Sequence, residues 1–404
     1  MKISLIQPGR NNLKYLKWSY NSIRKNQGNH EVEICVADDA STDGTWEWCQ
    51  EMMAKDSNFK AILNDTGQRL GHTILYDRLI NEVATNDLCM IYHADMYLCP
   101  EALDAIEEEM YIVVDNGDNG ERIKNHKTIT SLTRIEPPLH PDGPEKILRN
   151  FGVEPEEFDE QGLLDFLNSR VPNNSTTEGI FAPWAFWKSD FQEIGGHDPL
   201  YAPQSKEDSD IFNRFQLNGV KFIQTWHGCV YHMTCRGSRR NTVDKAKNIY
   251  EDSPEWLAQN MRSTRNFIRK WGHMVSHDSL MKPIIPPKYN IGFVIKDCNE
   301  QLLELLEPWC DNVYVGCDTT QYVKKEQPNT QFDLSDKIKS YDNEKQNEIL
   351  VKIDRKTFTP QDFNIIQQLS RIIQDSGDIG EFGLENLVID ITKMNEYQDE
   401  LICL

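Results

Sequence analysis

Glu33-Ile34-Cys35-Val36-Ala37-Asp38-Asp39-Ala40-Ser41-Thr42-Asp43-Gly44-Thr45 is the stretch whose reading decides the fold. Ile34 to Ala37 is an apolar run of core-strand length. Two carboxylates end it. Ser41 or Thr42 then stands where it can cap a helix that begins near Thr45 and carries Trp46, Cys49 and Met53. Carboxylates at the C-terminal end of a parallel strand lie in the crevice where open α/β sheets bind ligands. Upstream, residues 2–7 read as another strand. The turn Pro8-Gly9-Arg10-Asn11 follows, then an amphipathic helix with Leu13, Leu16, Tyr20 and Ile23 on one face. Strands are also expected near 60–63 and 88–93, and helices near 72–84 and 100–110, with Pro100 in the first turn of the last. This alternation predicts an α/β fold: a mostly parallel, doubly wound sheet flanked by helices.

Composition narrows the function classes. The 404 residues suffice for two domains, and the net charge is −21, from 43 basic and 64 acidic side chains. Residues 288–404 alone hold 12 basic against 22 acidic residues. Binding nucleic acid or an anionic membrane needs a basic footprint, so both are disfavoured as partners. No run reaches membrane-spanning length, and, with the first strand following Met1 at once, no signal peptide is expected. Ten cysteines show no Cys-x-x-Cys pair; Cys35 and Cys89 fall inside apolar strands. They read as reduced core thiols of a cytoplasmic protein.

Beyond residue 111 the pattern loosens. Residues 112–180 are expected to be an insertion that shapes a second substrate site, with a strand near 128–134 and short helices near 144–150 and 155–169. The first domain is then 1–280, residues 281–288 form a linker with Pro283, Pro286 and Pro287, and 289–404 make a smaller, acidic α/β domain. Strands near 291–295, 312–315 and 387–391 and a helix near 360–375 are expected there.

Three further clusters carry chemistry. His93-Ala94-Asp95 follows the apolar run 88–92. Gly195-Gly196-His197-Asp198 precedes Glu207-Asp208 and a helix with Arg214, and Gly219 comes next. Val230-Tyr231-His232 ends a later strand. Taken singly, Asp95 reads as a turn cap, Glu207-Asp208 as an acidic first helical turn, and His232 as a structural histidine. Pro183-Trp184-Ala185-Phe186-Trp187 offers aromatic faces that either stack on a sugar ring or fill the core.

In order and spacing, these motifs resemble family-2 glycosyltransferases over about residues 1–240. That family opens with a strand and a Pro-x-x-Asn turn, matched by Pro8 and Asn11. Its Asp-Asp-x-Ser-x-Asp-Gly-Thr turn is matched by Asp38, Asp39, Ser41, Asp43, Gly44 and Thr45. Its Asp-x-Asp element appears with His93 in the first place and Asp95 in the last. Its Gly-Gly-Phe-Asp turn appears with His197 in place of the aromatic residue.

The resemblance implies a GT-A fold and an inverting, metal-dependent transfer from a nucleoside-diphosphate sugar, UDP-linked, to an acceptor hydroxyl. Asp208 would be the general base, with Glu207 beside it. Asp95 would bind Mn²⁺ or Mg²⁺, with His232 as a second ligand; an imidazole in the set favours Mn²⁺. Pro8, Arg10, Asn11 and Asp39 would form the base pocket, with Asp38 supporting the turn. His93 would face the donor, and Arg236, in a locally basic stretch with Arg239, Arg240, Lys245 and Lys247, would clamp its phosphates. Two alternatives stay open on the residues alone. One is a nucleotidyltransferase, for which Gln7-Pro8-Gly9-Arg10 is a poor phosphate loop. The other is a non-catalytic glycan-binding or structural protein on a decayed transferase fold, which His93 in place of Asp favours.

Overall fold

The computed structural model describes residues 1–114, 120–171, 173–234, 240–244 and 249–404. The chain forms two compact units, residues 1–257 with 277–283, and residues 258–276 with 284–404. Among the described residues no helix is long and apolar enough to cross a membrane.

The first unit begins as the alternation predicts. Its opening elements are β1 (Lys2–Gly9), α1 (Leu13–Asn26), β2 (Glu31–Asp38), α2 (Thr45–Lys55), β3 (Phe59–Leu63), α3 (His72–Arg78), β4 (Leu88–Ile91), β5 (Met96–Leu98) and α4 (Ala102–Met110). The hairpin β6 (Tyr111–Val114) and β7 (Glu121–Lys124) comes next. Then follow β8 (Thr128–Glu136), β9 (Lys146–Leu148), α5 (Glu160–Ser169), β10 (Thr176–Thr177), β11 (Trp184–Trp187), α6 (Lys188–Glu193), α7 (Glu207–Leu217) and β12 (Lys221–His232). The main sheet runs β10-β12-β8-β11-β4-β1-β2-β3, with β5 on β12 and β9 on β8. Strands β4, β1, β2 and β3 are mutually parallel, and β11 is antiparallel to both β4 and β8. The chain winds from β1 out to β3 and then returns to place β4 on the other side of β1. The carboxyl ends of β1 and β4 therefore flank a topological switch point, where such sheets bind ligands.

Several expectations are corrected. The strand expected near 128–134 is β8, and it belongs to the main sheet and not to a separate insertion, since all nine of its side chains are buried between β11 and β12. Its hydroxyl-rich sequence hides this: Thr133 Oγ1 donates to the Thr225 carbonyl at 2.9 Å, so small polar groups are satisfied inside the sheet. The helix expected near 144–150 is strand β9, three residues paired in parallel with β8. Neither Ser41 nor Thr42 caps α2. Gly44 does, at φ 87°, while Asp43 takes hydrogen bonds from the Thr45 amide (3.2 Å) and hydroxyl (2.6 Å) and, across the turn, from the Leu13 amide (3.0 Å). Pro100 lies before the first turn of α4, whose cap is Glu101. The aromatic run 184–187 is strand β11, at most 1% exposed, and fills the core; it is closed to a sugar ring.

The hairpin β13 (Arg240–Asp244) and β14 (Ile249–Asp252) precedes α8 (Pro254–Trp271), whose residues from 258 onward belong to the second unit. That unit contains β15 (Ile291–Lys296), α9 (Glu300–Leu306), β16 (Asn312–Val315), α10 (Thr320–Glu326), α11 (Leu334–Lys337), β17 (Ile338–Ser340), β18 (Ile349–Asp354), α12 (Pro360–Gln367), α13 (Leu369–Ser376), β19 (Gly380–Leu384) and β20 (Leu387–Ile391). The second sheet runs β17-β16-β15-β18-β20-β19, with only β20 antiparallel to its neighbours. Phe293, Leu303, Leu306, Val313, Leu334 and Val351 lie at its dry centre.

Candidate active site

Two turns interlock at the carboxyl ends of β1 and β2. Asn11, at φ 52°, donates its amide to Ser41 Oγ at 2.9 Å, and its side-chain oxygen accepts from the Thr42 amide at 2.7 Å. Asp38 is fully buried and faces the turn: Oδ1 accepts from the Ser41 amide at 3.0 Å, and burial pushes its carboxyl upward. Asp39 points the other way and lines a cleft of about 960 Å³ with Pro8, Arg10 and Asn11. It also anchors the 64–71 loop. Oδ1 accepts from Asn64 Nδ2 (2.6 Å) and the Leu70 amide (2.9 Å), and Oδ2 from the Gly71 amide (2.9 Å). Gly71, at φ 82°, is required where it stands, because a Cβ there would lie 2.1 Å from the Pro203 carbonyl oxygen.

Across the cleft, three groups converge. Asp95 follows β4, and His232 ends β12, tied back by the Met233 amide donating to the Asp95 carbonyl at 3.0 Å. His232 Nε2 lies 3.4 Å from Asp95 Oδ1, and the His93 and His232 ring centroids are 5.9 Å apart. One ligand atom each from His93, Asp95 and His232 falls within 4.8 Å of the others, so all three can reach a single cation. Burial by itself would raise Asp95, but His232 and His93 outweigh it and hold Asp95 at about 2. Burial lowers His93. It would lower His232 too, yet Asp95 and Glu136 lift His232 to about 10. One carboxylate and two imidazoles form a mixed O/N donor set of the kind that suits Mn²⁺.

Glu207 and Asp208 open α7, at the end of a helix where backbone N–H groups favour negative charge. Burial pushes Asp208 up, against the pull of His93 and His197; burial and then Asp208 push Glu207 up to about 8. Both carboxylates bear on Tyr76, which lines the cleft. Arg214, wholly buried, ties the Gly-Gly turn to this helix. It pairs with Asp210 at 2.8 Å and donates to the Ile194 (2.9 Å) and Gly196 (2.6 Å) carbonyls. His197, where the aromatic residue was expected, lies flat on Tyr76 and is held by Asp77 at 2.6 Å. Gly196 permits that approach, since a Cβ would sit 2.2 Å from Asp77 Oδ2.

The fold thus brings Pro8, Arg10, Asn11, Asp39, His93, Asp95 and His232 onto one cleft, with Asp38 buried behind it; Glu207 and Asp208 are not among the residues that line it and bear on it only through the electrostatics of the lining residue Tyr76. Arg236 and its basic neighbours Arg239, Lys245 and Lys247 lie outside the described residues. Sequence reasoning missed Arg69, His72, Tyr76, Arg134, Glu136 and Lys146, all on the cleft. One signal was available for two of them. Arg134-Ile135-Glu136 ends a strand, and charges at a carboxyl strand end face the ligand crevice.

A curated relative, abequosyltransferase RfbV of Salmonella typhimurium (strain LT2), is 32% identical over 108 residues, which is 26% of this chain and 32% of the relative. GalNAc-T7 with UDP, GalNAc and Mn²⁺ superposes with a TM-score of 0.45 at 13% identity, over 67% of this chain and 48% of that one. Mannosyltransferase PcManGT from Pyrobaculum calidifontis, in complex with GDP-Man and Mn²⁺, does so at 0.39 and 15%, over 58% and 57%. The chain therefore spans about a third of the curated relative and about half of each solved chain. Residues 4–195 match the family described as glycosyl transferase family 2, and this match, together with the sheet order and the motifs at its switch point, makes the N-terminal unit a family-2-like glycosyltransferase domain of the GT-A fold.

Proposed function

We propose that this chain is a metal-dependent, inverting glycosyltransferase that moves a sugar from a nucleoside-diphosphate sugar, UDP-linked, to an acceptor hydroxyl on a glycan or other biomolecule. The observation that carries this reading is the meeting of His93, Asp95 and His232 at the switch-point cleft. A divalent cation bound there supplies positive charge against the departing nucleoside diphosphate.

The protein's own groups do the rest. Asp39 Oδ2 accepts one backbone hydrogen bond and keeps lone-pair capacity for the imide N–H of uracil. Pro8, Arg10 and Asn11 border the same end of the cleft. Asp208, raised by burial, takes the proton of the acceptor hydroxyl as its oxygen attacks the anomeric carbon in line. Glu207, pushed up to about 8 by burial and then by Asp208, donates a hydrogen bond beside the reacting hydroxyl and accepts no proton from it. The test is nucleoside diphosphate release from a panel of sugar nucleotides with and without Mn²⁺. Asp208→Asn should cut turnover by about 10²–10⁴ with donor affinity held. Near-normal turnover at saturating donor and acceptor would refute the base assignment. Metal-independent release would refute the metal role.

A further inference from the structure

The cleft wall behind His232 is a row of charges drawn from three adjacent strands. Tyr231 of β12 pairs with Ile135 of β8, and Arg134 and Glu136 of β8 pair with Lys146 and Leu148 of β9. This register brings His232, Glu136, Arg134 and Lys146 to the same carboxyl edge. Glu136 is 2% exposed, and its Oε1 lies 2.8 Å from His232 Nδ1. A carboxylate only accepts, so the Nδ1 hydrogen points at Glu136, and Nε2 is the nitrogen turned towards Asp95 and His93. Glu136 does not reach that cluster itself. It is held in turn by Arg134 Nη1 at 3.0 Å and Lys146 Nζ at 3.4 Å, and the Arg134 guanidinium lies 3.9 Å over the Phe181 ring.

We propose that Glu136 is the positioning residue of the metal site: it fixes the tautomer and ring orientation of His232 so that Nε2 is presented as a ligand, while Arg134 and Lys146 lock the carboxylate in place. This rests on reading His93, Asp95 and His232 as the ligands. A histidine ligand whose other nitrogen donates to a carboxylate is a stronger and better oriented donor, and removing such a partner weakens metal binding about 10–100-fold.

The experiment uses the full chain and Mn²⁺ alone, with affinity from calorimetry and from the electron paramagnetic resonance signal of free Mn²⁺. Co²⁺ absorption serves as a spectrum of the ligand set. Glu136→Ala should bind Mn²⁺ about 10–100-fold more weakly and shift the Co²⁺ bands, with the melting temperature of the metal-free protein showing that it folds. Glu136→Gln still accepts from Nδ1 but lacks the carboxylate's charge, so it should fall between, about 3–10-fold weaker. Should the alanine variant not fold, the glutamine variant carries the test. Wild-type affinity and unchanged bands in a folded Glu136 variant overturn the proposal. Asp95→Ala is the separate check on the site. If it abolishes binding while the Glu136 variants keep it, the positioning role fails and the site stands. If Asp95→Ala binds Mn²⁺ normally, the site reading fails and takes this proposal with it.

Discussion

Arg214 holds together the two motifs that the sequence presents separately, so its removal is the most telling perturbation of the fold around the site. Arg214→Met keeps the length of the side chain and removes the guanidinium. Three contacts go: the ion pair to Asp210 and the hydrogen bonds to the Ile194 and Gly196 carbonyls. Arg214 and Asp210 are both fully buried, so the change takes the cation from a carboxylate that water does not reach. Breaking a buried pair from one side costs about 3–5 kcal/mol. At roughly 2 °C per kcal/mol for a unit of this size, melting should fall by about 6–10 °C. The loss should be local, loosening the Gly-Gly turn against the start of α7, where Asp208 sits. Scanning calorimetry reads the first quantity, and hydrogen exchange over residues 194–210 the second. The double variant Arg214→Met with Asp210→Leu should regain part of the loss, because replacing a whole buried pair by apolar groups is far cheaper than halving it. A single variant within about 1 kcal/mol of wild type, or a double variant less stable than the single, would refute this account of the turn.

Three other outcomes are expected. Asp39→Ala removes three hydrogen bonds from the 64–71 loop and leaves the buried Gly71 amide without its acceptor, so exchange there should rise and metal-free nucleoside diphosphate binding weaken by about 1.5–3 kcal/mol; unchanged exchange would count against the anchoring role. Gly71→Ala should destabilise by more than about 1 kcal/mol in urea unfolding, through its positive φ and the 2.1 Å approach to Pro203. In the second unit, burial would raise Glu307, but Lys337 at 3.1 Å, Arg269 at 2.7 Å and the Tyr322 hydroxyl at 2.8 Å hold it at about 2, below the usual 4.5. A depressed folded value means stability that is complete above about pH 4.5 and lost as pH falls towards 2. Glu307→Gln should therefore cost about 3 kcal/mol at pH 7 and progressively less below pH 4.5, as urea titrations at several pH values would show; an equal cost at pH 7 and pH 2 would refute the ion-pair origin.

What the sequence alone determined is whatever short-range physics controls. Whereas the Asn11 and Asp43 turns interlock across 31 and 30 residues, the apolar run before Asp38-Asp39 and the helical period of residues 13–23 act within a few residues, and each appears in the structure at the expected place. Ordered along the chain, they also identify the parallel half of the sheet, since consecutive strand–helix units have few ways to wind. The rest of the fold depends on pairing between distant segments. Residues 128–136 read as a strand, but their hydroxyls and charges give no sign that it lies inside the main sheet; the carbonyls and partner side chains that satisfy them come from residues up to 96 positions away. Lys146-Ile147-Leu148 is too short to show a period, and its strand exists only because β8 offers an edge. The same holds at the site. Asp95 is singled out only by the order of the motifs along the chain, and Glu136 joins the cleft wall only when β8 lies beside β12 and sets a carboxylate 2.8 Å from the far nitrogen of His232. Neither period nor turn chemistry encodes that distance, because it arises from strand register over nearly a hundred residues.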